Sequence, residues 1–331
     1  GGADLGDPRR VERLVRVLED FYARPNASVP QACYHSWGRL KGAYRLLSND
    51  DFSLRDILAP HYASTAARMH DEPVVLAVQD TTSLNYGTLS ATTGLGPITS
   101  AADGAVGLEV HDTLTFTPGG VPLGLLDVQV WAREAAAFGK KHTRRTRPIE
   151  EKESYKWLAS FQAAAHAQRL CPHTRVVSVG DRESDVFDLF ELARSRDDHP
   201  ALLVRATADR CVKSAGATGR LWTVVESQEV ADVRAVHVPR TAHRAARQAG
   251  LSVRFCAVEL RPPRTGPAGR RALCLWAVLA REEHPPTGVE PLEWMLLTTI
   301  EVRTVSQAME KIDWYVRRWG IEVYHHTLKS G

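Results

Sequence analysis

Nothing in the sequence supplies a zinc site or a disulfide framework. The five cysteines, Cys33, Cys171, Cys211, Cys256 and Cys274, lie far apart and include no C-x-x-C pair, which suits a reducing cytosol. No leader pattern opens the chain. The longest apolar run, ALCLWAVLA at 272–280, is bracketed by Arg271 and Arg281 and reads as a strand; crossing a bilayer takes about 18 apolar residues or more. Neither a G-x-S-x-G elbow nor a P-loop occurs, so the common serine-hydrolase and nucleotide-cradling devices are absent. Bulk charge is also slight, +3 over 331 residues. Basic residues are concentrated locally instead. KKHTRRTR at 140–147 carries five Lys or Arg, and RTAHRAAR at 240–247 and RPPRTGPAGRR at 261–271 add more. Each segment alone reads as a solvated loop, but several in one chain favour a phosphate-binding surface.

A hydrophobic content of 44% is that of an ordinary globular protein, and the length admits two or three domains. Residues 1–70 read as a small helical domain with scattered arginines. Asp7 caps and Pro8 opens a helix over 7–22 whose apolar face is Leu14, Val17, Leu18 and Phe21, and Asn49 and Ser53 punctuate the rest. From 71 to 206 the pattern is mixed α/β. PVVLAVQD (73–80) and RVVSVGD (175–181) are short buried strands, and GLEVHDTLTFT and VPLGLLDVQVWA alternate like antiparallel ones. Helices are expected at 149–170 and 184–195, and a further strand at 200–206. Residues 207–300 hold β runs without a long helical pattern and read as a β-rich insertion. Helical periodicity returns within 301–331.

Asp80 and Asp181 each end an apolar strand, at the sheet edge where chemistry gathers in open α/β folds. The last eighteen residues hold one acid, Glu322. At about 100° per residue, Tyr315, Arg318, Glu322 and Lys329 fall within an arc of roughly 60° on one helix face. Arg318 and Glu322 at i,i+4 suit a surface ion pair, but Trp314, Trp319 and Tyr324 flank the stripe and imply partial burial. Three carboxylates suffice to hold two hard divalent cations about 3.5–4 Å apart for in-line phosphoryl displacement, with no protein nucleophile. Glu183 and Asp185 read as helix-start acids, and His111 as a packed or DNA-proximal histidine. His325 and His326 stand beside Glu322, and Glu322 with His326 forms a second i,i+4 arrangement able to take a metal.

The blocks LAVQDTTSLNYG, EKESYKW, GDRESDVFDLF, PLEWMLLTT and Y-x2-R-x3-E-x6-K (315–329) follow one another in the chain. From LGDPRR at 5–10 to Lys329, this order resembles the bacterial insertion-sequence-four family of DDE transposases. The resemblance implies a ribonuclease-H-like mixed α/β sheet with a β-rich insertion, preceded by a small helical DNA-binding domain. Asp80, Asp181 and Glu322 match the catalytic triad that holds two Mg2+ or Mn2+ ions. Tyr315, Arg318 and Lys329 match the residues that grip the phosphate backbone of the transposon end, and Trp294 the residue that receives a flipped base. Arg205 and Arg210 match basic DNA contacts, and Arg9, Arg10, Arg13 and Arg45 the end-recognition region. The implied partners are double-stranded transposon ends with inverted repeats, target DNA and a second copy in the synaptic complex, at the nucleoid in the bacterial cytoplasm and away from membranes. The implied reaction is cut-and-paste: nicking, hairpin formation, hairpin opening and strand transfer. Members continue past the signature into a helical segment that pairs subunits, so that segment is expected after Gly331 and further residues ahead of Gly1. The alternative is a catalytically incompetent DNA-binding remnant or inhibitor. A ribonuclease or repair nuclease of the same fold is a third reading, and it has no need of the Tyr–Arg–Lys set.

Overall fold

The computed structural model describes residues 2–34, 36–89, 91–98, 104–134, 147–238, 246–264, 267 and 269–330. Most of the basic stretches 140–147 and 240–247 and part of 261–271 lie outside the described residues.

Four helices lead the chain: α1 (Pro8–Ala23), α2 (Val29–Ala32), α3 (Trp37–Leu47) and α4 (Leu54–Met69). The Asp7 side chain accepts from Arg9 N at 2.9 Å, with Pro8 in the first turn. Ser53 and Asp56 cap α4 reciprocally, satisfying donors that a helix start otherwise exposes. Leu5, Leu14, Val17, Cys33, Ala43 and Leu46 close α1–α3 into a small core of their own. α4 joins two neighbourhoods: Ile57 near its start packs against this core, and Ala66 and Met69 near its end pack with Val75, Ala77 and Leu126 of the sheet.

The strands are β1 (Val74–Asn85), β2 (Gly96–Pro97), β3 (Val106–Phe116) and β4 (Pro122–Trp131), then β5 (Arg175–Gly180) and β6 (Ala201–Arg205) around helices α5 (Tyr155–Leu170) and α6 (Phe187–Arg194). Next come β7 (Cys211–Ser214), β8 (Ala217–Arg220), α7 (Leu221–Glu226), β9 (Asp232–Val238), β10 (Arg247–Leu260), β11 (Leu273–Glu282) and β12 (Glu293–Thr298). All join one sheet, ordered β2-β3-β1-β5-β6-β12-β11-β10-β7-β8, with β4 on β3 and β9 on β10. β1, β5 and β6 run parallel. The β runs of 207–300 extend this same sheet, because β12 pairs antiparallel with β6.

Strand alternation sorts the two faces. Val75 and Ala77 point toward α4 and α5, and farther along the same side Trp157, Phe161 and Phe190 pack on Leu202, Val204 and Leu297. Leu76, Val78, Leu114, Phe116, Val177, Val179 and Leu203 point the other way, against α8 (Val305–Arg317) and α9 (Trp319–Ser330). Ile312 and Ile321 are fully buried there. Burying a large aliphatic side chain is worth about 1.5–3 kcal/mol, against about 0–1 kcal/mol for an exposed ion pair. Apolar packing therefore seats the two helices and leaves their polar side chains for other work.

The helix expected to run unbroken through the signature is divided at Arg318, which keeps helical dihedrals (φ −51, ψ −32). Just beyond, Gly320 meets β3 so closely that a Cβ would stand 2.7 Å from the Phe116 ring. Helix propensity alone favours replacing this glycine by up to about 1 kcal/mol, whereas overpacking costs about 1–3 kcal/mol. Gly320→Val should therefore lower stability in denaturant unfolding, and Phe116→Leu in the same chain should recover part of the loss. A gain in stability would show that the contact yields freely.

Candidate active site

Register alone brings the first groups together. Val78 of β1 pairs with Val179 of β5, and Val179 with Leu203 of β6. Two residues on, and so on the same face under α8 and α9, stand Asp80, Asp181 and Arg205. Leu296 of β12 pairs with Arg205, which puts Trp294 on that face as well.

α8 and α9 lay their stripe over this row. Arg318 donates from Nη1 to Asp80 Oδ2 at 3.3 Å and from Nη2 to Glu322 Oε1 at 2.5 Å. The i,i+4 pair is thus tied to a strand carboxylate and is not a surface ladder. Asp181 opens a 3-10 turn, Arg182–Ser184, and its Oδ1 accepts from Glu183 N at 2.9 Å. Burial raises the pKa of both aspartates; Glu322 adds to the rise at Asp80 and Asp80 to that at Asp181, while Arg318 pulls both down. Burial lowers the Arg318 pKa, but Tyr315, Asp80 and Glu322 outweigh it and hold the group above its ordinary value. Tyr315 is buried, and its ring meets Trp294 edge-on with centroids 5.6 Å apart. Arg205 lies within reach of the Tyr315 hydroxyl and donates to the Glu293 carbonyl at 2.7 Å. Burial and the nearby Arg182 and Arg318 lower its pKa, with Tyr315 acting in the opposite sense.

Among the described residues, no group of three His, Cys, Asp or Glu side chains could hold a metal ion as it stands. Arg318 occupies the place between Asp80 and Glu322. The oxygen donors are nonetheless of the type a hard divalent cation takes. They also carry an electrostatic penalty from burial and from each other that such a cation offsets.

Other residues singled out in the sequence are placed as follows. Lys329 is exposed on the last turn of α9. Arg210 donates to Asp185, through Oδ1 and at 2.6 Å to its carbonyl, and Asp185 also accepts from Thr207 N and Ala208 N at 2.8 and 2.9 Å. The acid read as a helix starter is therefore a buried clasp on the loop after β6. Arg9 pairs with Asp7 at 2.8 Å. Arg10 reaches Asp51 and the Leu5 carbonyl, and Arg13 packs over Gly42 of α3. Arg45 is exposed on α3. His111 is fully buried, 2.9 Å from the Thr81 hydroxyl and edge-on to Trp157, and burial drives its pKa far below the usual value, so it is a packed neutral ring. His326 is exposed and His325 is buried.

Three groups went unnoticed in the sequence. Lys156, from EKESYKW, reaches Glu183 at 3.3 Å and so braces the turn that Asp181 opens. Asp112 lies directly across from Asp80. On α3, Trp37 (73% exposed), Lys41 and Tyr44 (51% exposed) share one outward side with Arg45, a stripe detectable from its i, i+4, i+7 spacing.

Residues 1–52 match the transposase DNA-binding family. The match covers α1–α3 with their separate core and supports a transposase that binds DNA. A solved structure, the piggyBac transposase synaptic complex with hairpin DNA, is similar at 8% identity and a TM-score of 0.38 over 97% of this chain, which spans 59% of the length of that one. Among the described residues no helix is long and apolar enough to cross a membrane.

Proposed function

We propose that the chain is a cut-and-paste DNA transposase of the insertion-sequence-four type, built on a ribonuclease-H-like core. One observation carries this reading: Arg318 ties Asp80, inside β1, to Glu322 on the helix above, and its charge also acts on Asp181, which stands just past the end of the neighbouring parallel strand β5. The domain at 1–52 supplies the DNA partner. Asp80, Asp181 and Glu322 would hold two Mg2+ or Mn2+ ions, which supply activation of the attacking oxygen and stabilisation of the leaving one.

The chain's own groups do the rest. Arg318 balances the carboxylates while no phosphate competes, and an incoming phosphodiester offers its guanidinium a second bidentate acceptor. Arg205 and Tyr315 present a cation and a hydroxyl beside it, and exposed Lys329 extends the cationic track along the backbone. Arg45, Lys41, Trp37 and Tyr44 form an outward face suited to reading the transposon end. Nicking, hairpin formation, hairpin opening and strand transfer are all phosphoryl transfers, so one constellation serves them in turn. The partners are end DNA, target DNA and a second copy in the synaptic complex, at the bacterial nucleoid.

The Arg318 bridge also favours a second reading, a DNA-binding remnant or inhibitor whose carboxylates stay occupied. Incubating the chain with a duplex from the inverted repeats beside its own gene separates the two. Strand scission that needs Mg2+ or Mn2+ and stops in EDTA supports the transposase. Tight binding without scission in either metal supports the remnant.

Trp294, edge-on to Tyr315, would receive a base unstacked at the hairpin bend. Unstacking costs a few kcal/mol, part of which an aromatic platform offsets. First-strand hydrolysis has no such bend, so Trp294→Ala should nick normally and accumulate nicked ends with few hairpins. An abasic site at the flipped position should partly restore hairpins. Joint loss of nicking and folding stability would make Trp294 a core residue only.

A further inference from the structure

We infer that Asp112 and His325 form a buried positioning pair that sets Glu322 over Asp80. The inference rests on the proposed reading of the site and adds two residues to it. Asp112 of β3 is the Cα partner of Asp80 on β1, so the two side chains leave the sheet on the same face, with Cβ atoms about 4.5–5.5 Å apart. The next inward positions on that face, Leu114, Phe116, Leu76 and Val78, are all apolar. An acid with 1% side-chain exposure is out of place among them. Its partner is His325 Nε2, 3.0 Å from Oδ2, on a ring that is itself 6% exposed. Nothing among the described residues meets Asp112 Oδ1, so this hydrogen bond is the acid's one compensation for burial.

Apolar contacts hold α9 down, through Ile321, the half-buried Tyr324 and the close approach of Gly320 to Phe116, but they do not fix its rotation. Its buried residues are Ile321 and His325. They stand at i and i+4, and Glu322 lies between them in sequence. Ile321 packs on apolar neighbours, and apolar contacts tolerate rotation and sliding. A hydrogen bond to a fixed strand carboxylate is satisfied at one helix azimuth and one height. With Ile321 holding the helix down and His325 holding its rotation, the Glu322 carboxylate is delivered above the row that carries Asp80. The same contact takes His325 Nε2 away from ligand duty, so the histidine beside the acid orients it and does not share its metal.

The test uses the full chain bound to its own end DNA. His325→Ala removes the tie, and His325→Gln keeps an N–H donor near the Nε2 position. Asp112→Ala removes the acceptor. His325→Ala and Asp112→Ala should each slow nicking at saturating DNA by about 10–100-fold, the usual penalty for disturbing a group that orients a metal ligand, with end-DNA affinity little changed. Mn2+ titration of the same complexes, read by electron paramagnetic resonance, should show weakened Mn2+ binding in both alanine variants. His325→Gln should return most of the rate and the binding. The pair is overturned if folded His325→Ala binds Mn2+ as the wild type does. It is equally overturned if His325→Gln and His325→Ala lose activity and melting temperature in equal measure, which marks simple packing. Asp80→Asn run in parallel keeps the two levels apart. Cleavage by Asp80→Asn overturns the proposed function, whereas wild-type behaviour of His325→Ala beside an inactive Asp80→Asn overturns the positioning pair alone.

Discussion

Asp80→Asn, Asp181→Asn and Glu322→Gln should each reduce nicking of end DNA by at least about 10²–10³-fold, the scale lost when preorganised charge at a reacting centre is removed. End-DNA binding should be nearly unaffected, because the domain matched at 1–52 lies apart from the carboxylates. Asp181 should also show the opposite effect on stability, whereas Asp80→Asn takes a partner from Arg318. Burial and the neighbouring Asp80 raise the Asp181 pKa in the folded chain. A carboxyl whose folded pKa is raised stabilises the fold below its unfolded pKa and loses that contribution as pH rises through the folded one. At neutral pH the ionised form is therefore a liability in metal-free protein. Asp181→Asn should melt above the wild type at pH 7, and the two curves should converge below about pH 4. A variant that loses activity and stability together at pH 7 would make Asp181 a structural acid.

The second large effect is expected at Asp185. Its side chain is fully buried against Arg210, which is itself mostly covered, and it accepts from two backbone N–H groups. Removing one partner of a buried pair typically costs about 3–5 kcal/mol, because the other charge is left uncompensated. Asp185→Ala should lose that much in urea unfolding, and Asp185→Asn less, since its amide oxygen still accepts from Thr207 N or Ala208 N. A loss under about 1 kcal/mol, the size of a surface pair, would mean that the loop after β6 opens to water. The result bears on Arg210 too. A guanidinium committed to Asp185 shapes the loop that follows Arg205, and any grip on DNA has to compete with that bond.

The carboxylates were legible because each rests on a local signal. An apolar run that stops at an Asp reads as a strand with an acid at its edge; this holds for Asp181, just past β5, whereas β1 continues beyond Asp80 to Asn85, and helical spacing sets Tyr315, Arg318 and Glu322 on one side. Pairings between distant segments left no such signal. Nothing local says that Asp112 stands across from Asp80, that His325 reaches it, or that Asp185 holds a loop more than twenty residues on. The β runs of 207–300 are plain in the sequence, but periodicity carries no information on which strand lies beside which, and so does not show that β12 lies beside β6. The pattern of α4 groups it with the helices before it, and Ile57 does pack on their core, but no local signal shows that Ala66 and Met69 face the sheet. The bridging role of Arg318 was hidden by the ordinary look of an i,i+4 pair, whose third member, Asp80, is 238 positions away.

The most direct measurement is the anomalous difference map of crystals of the full chain with its own end DNA and Mn2+. Two peaks about 3.5–4 Å apart, held by Asp80, Asp181 and Glu322 with Arg318 turned onto a phosphate, are the predicted result. A map with DNA bound, Arg318 still bridging Asp80 and Glu322, and no Mn2+ among the three carboxylates would contradict it.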